Sequence, residues 1–244
     1  MDKIREGKVA VEVSGERIDI FFSEIGKGRN AALILHDLWG SKRNSEELFF
    51  PHAPKGWRLV AIDWPGHHHA PPLSENTIYK YAEMLAAFVE AMEFRKVCVI
   101  AMSLGGAAAV LFAAAHPEKV RALALVGAFD SGKLLLETLD QSLREHVFRI
   151  VRKRKGLAHW LMRSRFLHVQ KRVSTELTTL GHIVAVANQV ELQIFSSAYE
   201  LRALAKENFR SADIEAVCNL LLSLFELDLT EALGRLSVPV LVLD

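Results

Sequence analysis

Ser103, in Ala101-Met102-Ser103-Leu104-Gly105-Gly106, is the side chain best framed for covalent chemistry. A serine hydroxyl attacks a carbonyl only when a base removes its proton and nearby donors receive the charge that develops on the attacked oxygen. What marks this serine is its surroundings. Residues 97–100 are an apolar, partly β-branched run too short for a helix, which reads as a buried strand. Residues 107–116 are rich in strong helix formers and stop at Pro117. A strand that turns into a helix so quickly crowds its own backbone. Ala101 and Gly105 are small at the two positions where a larger side chain would collide. This is the pattern of a nucleophile elbow, a serine on a sharp turn with Oγ exposed and a helix N-terminus behind it.

The other chemistry-bearing residues are scattered. Of ten histidines, His36 and His67 stand just after two of the expected strands, and His67-His68-His69 reads as a solvated loop without partner carboxylates at metal-ligand spacing. No metal or other cofactor is expected. His116 precedes Pro117 at a helix end. His146, His159, His168 and His182 lie in a later helical stretch, where any one of them would have to reach Ser103 to act as its base. Asp130 follows the strand after the elbow, so it reads either as an acid at the rim or as the N-cap of the next helix. Arg149, Arg152, Lys153, Arg154 and Lys155 form a basic cluster that reads as a solvated helix face.

The elements that would position these residues alternate. Residues 9–13 and 18–22 form a hairpin across Ser14-Gly15-Glu16 at a sheet edge. Residues 31–35 are a buried strand ending in His36-Asp37-Leu38-Trp39-Gly40-Ser41, and a short helix is expected over 46–50. Residues 58–62 are the next strand, ending in Asp63-Trp64-Pro65-Gly66-His67. Apolar positions 78, 81, 82, 85, 88, 89 and 92 define one face of a helix. The elbow follows, then a strand over 120–126. Strand and helix in alternation predict an α/β fold, a mainly parallel, doubly wound sheet covered on both faces, with ligands beyond the carboxyl ends of its strands. His36, Asp63, Ser103 and Phe129 should therefore share one rim. Residues 130–212 read as helices only, including a Leu135, Leu139, Leu143, Val147 stripe, and predict an all-helical cap inserted into a core made of 1–129 and 213–244. Asp213 starts a further helix, and 238–243 is a last strand.

The whole chain sets the boundaries. Its 244 residues are 50% hydrophobic and 24% charged with a net charge of +1, which fits a soluble protein with one sizeable core and gives no reason to expect a nucleic-acid partner. Residues 97–116 hold no Asp, Glu, Lys or Arg, yet Ser-Leu-Gly-Gly at their centre splits them into a strand and a helix rather than a membrane span, so no stable membrane insertion is expected. The N-terminus lacks the apolar core of a signal peptide, and a reducing cytoplasm is the expected compartment.

Together these motifs resemble the α/β-hydrolase family, in its esterase- and lipase-like branch with a helical cap. Leu35-His36-Asp37-Leu38-Trp39-Gly40-Ser41 is similar to the family's oxyanion loop. Asp63-Trp64-Pro65-Gly66-His67 is similar to its Asp-x-Pro-Gly-His turn, and 101–106 to its elbow, with Ala101 for the first glycine. The resemblance implies Ser103 as nucleophile, with the backbone N–H groups of Leu38 and Leu104 as oxyanion hole and His36 and His67 as hydrogen-bonded scaffold. It implies a small, largely apolar ester or related acyl substrate; a silent, ligand-binding member of the fold is the alternative. Asp37 replaces a usual glycine, and its carboxylate would oppose charge on the substrate oxygen unless turned away or paired. The family's acid and histidine usually follow the strand corresponding to 238–243, so the ending resembles a truncation. That implies an exposed edge strand able to self-associate.

Overall fold

A hairpin opens the sheet. The computed structural model describes residues 3–38, 40–68, 70–128, 204, 207–208 and 211–243. Strands β1 (Arg5–Val13) and β2 (Glu16–Ile25) pair antiparallel with Val9 opposite Ile20. Ser14 and Gly15 between them have φ of 50° and 81°, the two-residue turn whose twist matches that of the strands. The Glu83 carboxylate accepts from the Ser14 N–H and hydroxyl at 2.8 and 2.7 Å, tying the turn to the first long helix.

Strands β3 (Asn30–Leu35), β4 (Trp57–Ile62), β5 (Val97–Met102), β6 (Val120–Val126) and β7 (Val240–Leu243) complete a sheet of order β1-β2-β4-β3-β5-β6-β7. β2 meets β4 antiparallel, and every pairing beyond it is parallel. β5, the strand that carries the elbow, is central, between β3 and β6.

The described helices are α1 (Lys42–Phe49), α2 (Ile78–Ala91), α3 (Leu104–Ala115), α4 (Ile214–Phe225) and α5 (Thr230–Gly234). Because side chains alternate along a strand, Leu33, Leu35, Val60, Ile62, Val97 and Val99 face one core with α2, α3 and α4. Ala32, Ile34, Leu59 and Ala61 face the other, against Phe50 and Phe49. The fold is the doubly wound α/β arrangement that the alternation predicts. α2 buries positions 78, 81, 82, 85, 88 and 89 as its spacing requires.

Three boundaries differ from expectation. α1 begins at Lys42, ahead of residue 46, because the Ser41 N–H donates to Asn44 Oδ1 at 3.0 Å and the Lys42 N–H to Asp63 Oδ1 at 2.7 Å. α3 begins at Leu104, so Gly105 and Gly106 lie inside the helix rather than before it. β7 begins at Val240, although the Pro239 carbonyl already accepts from Leu123 N–H at 2.9 Å; proline has no N–H to give the ladder.

Of the insertion expected over 130–212, Leu204, Glu207, Asn208 and Ser211 are described and helical and Ala212 is a buried bend; its remainder, with Phe129, lies outside the described residues. Asp213 caps α4, its carboxylate accepting from Ala216 N–H at 2.9 Å. Among the described residues no helix is long and apolar enough to cross a membrane.

Candidate functional site

The turn at Ser103 has no slack. β5 ends at Met102 and α3 starts at Leu104, leaving a single residue to reverse the chain, with φ 47° and ψ −112°. A non-glycine residue in this region carries strain of about 1–3 kcal/mol and persists only where its surroundings over-determine it. They do so here. Ser103 N–H donates to Val126 O at 3.0 Å and Ser103 O accepts from Gly106 N–H at 2.9 Å. Ala101 is fully buried below the turn. A Cβ on Gly105 would lie 2.9 Å from Leu35 Cβ and 3.0 Å from the carbonyl oxygens of Leu35 and His36; one on Gly106 would lie 2.5 Å from Ala128 Cβ. The start of α3 is thus wedged between the exits of β3 and β6. Ser103 is half-buried and Leu104 buried. As the first residue of α3, Leu104 has an N–H with no acceptor inside its own helix.

The loop leaving β3 is held by two buried imidazoles. His36 Nδ1 lies 2.6 Å from Asp37 O, and its Nε2 accepts from Trp64 N–H at 3.2 Å. These two contacts define the neutral Nδ1–H tautomer, and burial holds the ring's pKa well below the usual histidine value. Trp64 returns a second bond from its indole N–H to His36 O at 2.9 Å, and its ring stacks on Tyr81 at 5.1 Å. His67 Nε2 lies 2.7 Å from Leu38 O and its Nδ1 3.1 Å from Pro65 O. Burial lowers the His67 pKa as well. The rings of His36 and His67 meet edge to face at 5.3 Å.

Beside this loop sits a buried ionic cluster. Burial raises the Asp63 pKa to about 7, against the opposing pull of the Lys42 N–H bond and charge. Burial also works to lower the Lys42 pKa, but bonding to Glu6 and the charges of Asp63 and Glu46 leave it raised. Lys42 Nζ is 2.9 Å from Glu6 and 3.5 Å from Glu46. Asp37 folds its carboxylate over its own turn, with Oδ1 2.8 Å from where a Cβ on Gly40 would stand.

His36, Asp63 and Ser103 leave the ends of β3, β4 and β5, three parallel strands with β3 between the other two, on the one rim that the alternation predicts. Leu38 and Leu104 sit at the exits of β3 and β5. Asp130, the histidines 146, 159, 168 and 182, the basic cluster from Arg149 and the stripe from Leu135 all lie outside the described residues. The Ser103 side chain makes no capping hydrogen bond to α3, and among the described residues no group of His, Cys, Asp and Glu could hold a metal ion.

Sequence reasoning missed the docking of Glu207, Asn208, Ser211 and Asp213. Arg43 pairs with Glu207 at 3.2 Å, Asn208 Nδ2 donates to Asn44 Oδ1 at 2.7 Å, and Asp213 N–H donates to Gly66 O at 2.7 Å. Ser211 Oγ lies 3.4 Å from Nδ1 of His68, which has φ 52°. No local pattern announces contacts between residues so far apart in the chain.

A family described as the α/β-hydrolase fold matches residues 31–153. A pimeloyl-[acyl-carrier protein] methyl ester esterase of Neisseria meningitidis serogroup B is 36% identical over 91 residues, 37% of this chain and 34% of that protein. The chain thus spans about a third of the length of the first curated relatives it matches. A thermophilic esterase from Thermogutta terrifontis superposes with TM-score 0.62 at 18% identity over 98% of this chain and 79% of that one. A bromoperoxidase from Bacillus anthracis does so with TM-score 0.66 at 13% identity over 97% and 80%. At these identities the structures share the fold, a scaffold that hosts unlike chemistries.

Proposed function

The chain belongs to the α/β-hydrolase fold family, and from that premise we propose that it is a serine hydrolase of esterase type, acting on a small, largely apolar ester or related acyl bond. The observation that carries this reading is Ser103 held alone at φ 47° between the central strand and α3. A strained, over-determined serine at the carboxyl end of β5 presents its hydroxyl where these sheets bind ligands.

In this reading Ser103 Oγ attacks the acyl carbon and loses its proton to a histidine outside the described residues. The carbonyl oxygen becomes an oxyanion that accepts from the N–H groups of Leu38 and Leu104, the second with the N-terminal dipole of α3 behind it. Collapse expels the alcohol and leaves an acyl-serine, which water then cleaves by the same steps. An acid near that histidine completes the set, and Asp130 is one candidate. The insertion over 130–212 acts as the cap that shapes the acyl pocket, and no metal or cofactor takes part. The named methyl ester esterase among the relatives supports an ester bond as the target.

A second reading is favoured by one observation. Asp37 places a carboxylate on the loop of Leu38, where its negative charge would oppose that of an oxyanion, and this suits a silent protein that binds a ligand through the same rim. Labelling with a fluorophosphonate probe separates the two. The 244-residue chain and the full translation product of its reading frame are labelled side by side with Ser103→Ala as blank, together with hydrolysis of p-nitrophenyl butyrate. Labelling and turnover that vanish in Ser103→Ala support the hydrolase; absence of both in the full product supports the binding protein.

A further inference from the structure

Leu38 stands between two peptide groups, and each has its carbonyl held by a different buried imidazole. The peptide that contains Leu38 N–H has Asp37 O as its carbonyl, 2.6 Å from His36 Nδ1. The next peptide has Leu38 O, 2.7 Å from His67 Nε2. A peptide unit is planar with C=O and N–H pointing in opposite directions, so fixing a carbonyl fixes the direction of the N–H on its far side. From this geometry we propose that His36 and His67 are a pair of positioning residues that clamp the peptides on either side of Leu38 and so aim its N–H as an oxyanion donor. The proposal rests on the hydrolase reading for its consequence, though not for its geometry.

The two rings reach the peptides of Leu38 through opposite nitrogens. Trp64 N–H donates to His36 Nε2 at 3.2 Å, so the proton of a neutral His36 must be on Nδ1, facing Asp37 O. The same tryptophan binds His36 O through its indole at 2.9 Å, so the ring and its backbone are gripped by one residue. At His67 the shorter of two carbonyl contacts is the one from Nε2, which assigns its proton there, facing Leu38 O. Both side chains are buried to 1% exposure or less, and burial is the largest influence lowering each pKa. Neither ring touches a reacting atom in this arrangement; both act through Leu38.

Opposite nitrogens give opposite rescue patterns, which a general stabilising role would not. The amide nitrogen of asparagine falls near the position of a histidine Nδ1, and that of glutamine near Nε2. His36→Asn should therefore keep the donor to Asp37 O while His36→Gln loses it; His67→Gln should keep the donor to Leu38 O while His67→Asn loses it. The experiment makes these four variants of the full translation product. It measures kcat and KM on p-nitrophenyl butyrate, hydrogen exchange at the Leu38 amide, and the wild-type tautomers by nitrogen NMR of the histidine rings.

The expected result is kcat within about tenfold of wild type for His36→Asn and His67→Gln. For His36→Gln and His67→Asn, kcat should fall about 10²–10³-fold at unchanged KM, the cost of one oxyanion donor, with faster exchange at Leu38. The clamp is overturned if asparagine and glutamine behave alike at each site, or if the rings carry the other tautomers. If the wild-type protein neither turns over nor labels at Ser103, the hydrolase reading fails. The Leu38 exchange and ring tautomers then decide the clamp without it.

Discussion

Gly105 and Leu35 are packed so closely that a methyl group on Gly105 would stand 2.9 Å from Leu35 Cβ, with the carbonyl oxygens of Leu35 and His36 each at 3.0 Å. Two of those three neighbours are backbone and cannot rotate away. Gly105→Ala is therefore expected to lower stability by about 1–3 kcal/mol and to slow probe labelling at Ser103, because the start of α3 must move off β3. Urea unfolding and labelling rates on one preparation check both. Unchanged values would show that the elbow tolerates a shift.

The backbone at Ser103 separates strain from chemistry. Ser103→Ala keeps the positive φ and its strain, so its stability should match the wild type while labelling disappears. Ser103→Gly relieves the strain and should be more stable than Ser103→Ala by about 1 kcal/mol, part of the relief being offset by the flexibility of glycine in the unfolded chain. Thermal unfolding of the two variants makes the comparison. Equal stability would mean that the turn is not strained.

Asp63 gives a pH dependence with a definite sign. Its pKa is raised from 3.8 to about 7 by burial, so between those values the unfolded chain releases a proton that the folded chain retains. The contribution of this group is fully present below pH 4 and is lost as pH rises to about 7. Asp63→Asn keeps an oxygen acceptor for Lys42 N–H and has no charge to bury. It should match the wild type near pH 4 and exceed it at pH 8 by on the order of 4 kcal/mol. Urea melts at the two pH values test this; an equal difference at both would sink it.

Asp37 is expected to restrain the proposed chemistry through its charge. Asp37→Asn preserves the size of the side chain folded over Gly40 and removes the carboxylate. Labelling at Ser103 should then speed up severalfold, with the gain shrinking as salt is added. A rate that does not change would show that the charge is turned away from the oxyanion.

Strand β7 predicts behaviour between molecules. Val240, Leu241, Val242 and Leu243 are 40%, 55%, 58% and 48% exposed on β7, the outermost strand at this side of the sheet among the described residues. The opposite edge, β1, carries Arg5, Glu6, Lys8 and Glu12, the charges that discourage strand addition. The 244-residue chain should associate as its concentration rises, and Val242→Lys should reverse this without loss of stability. Sedimentation velocity over a range of concentrations checks it; a wild type monomeric throughout would refute the edge argument.

The sheet was legible because its evidence is local. Buried parallel strands read as short apolar runs, and glycine, proline and serine mark where they stop. The positions of Ser103, His36 and Asp63 at one rim followed from topology alone. What was not legible depended on distant partners. α1 starts at Lys42 because Asp63, 21 residues on, accepts its N–H, and a carboxylate after a strand does not reveal which helix it caps. His36 and His67 were read as scaffold, but the nitrogen each one turns toward the loop depends on where Trp64, Asp37 and Leu38 lie around the rings, contacts that no spacing encodes. Asn44 and Asn208 meet across 164 residues, and neither stands in a motif.

The chain between Ala128 and Glu207 leaves and rejoins the core at two fastened points. Ala128 is pressed against Gly106 on the elbow, and Glu207, Asn208 and Asp213 are tied to Arg43, Asn44 and Gly66. The contacts that set the backbone of Ser103 come from Val126, Leu35 and His36, all of which precede the first of these points. The elbow is therefore complete before the chain departs, and the returning end closes on Arg43, Asn44 and Gly66 of a core already in place.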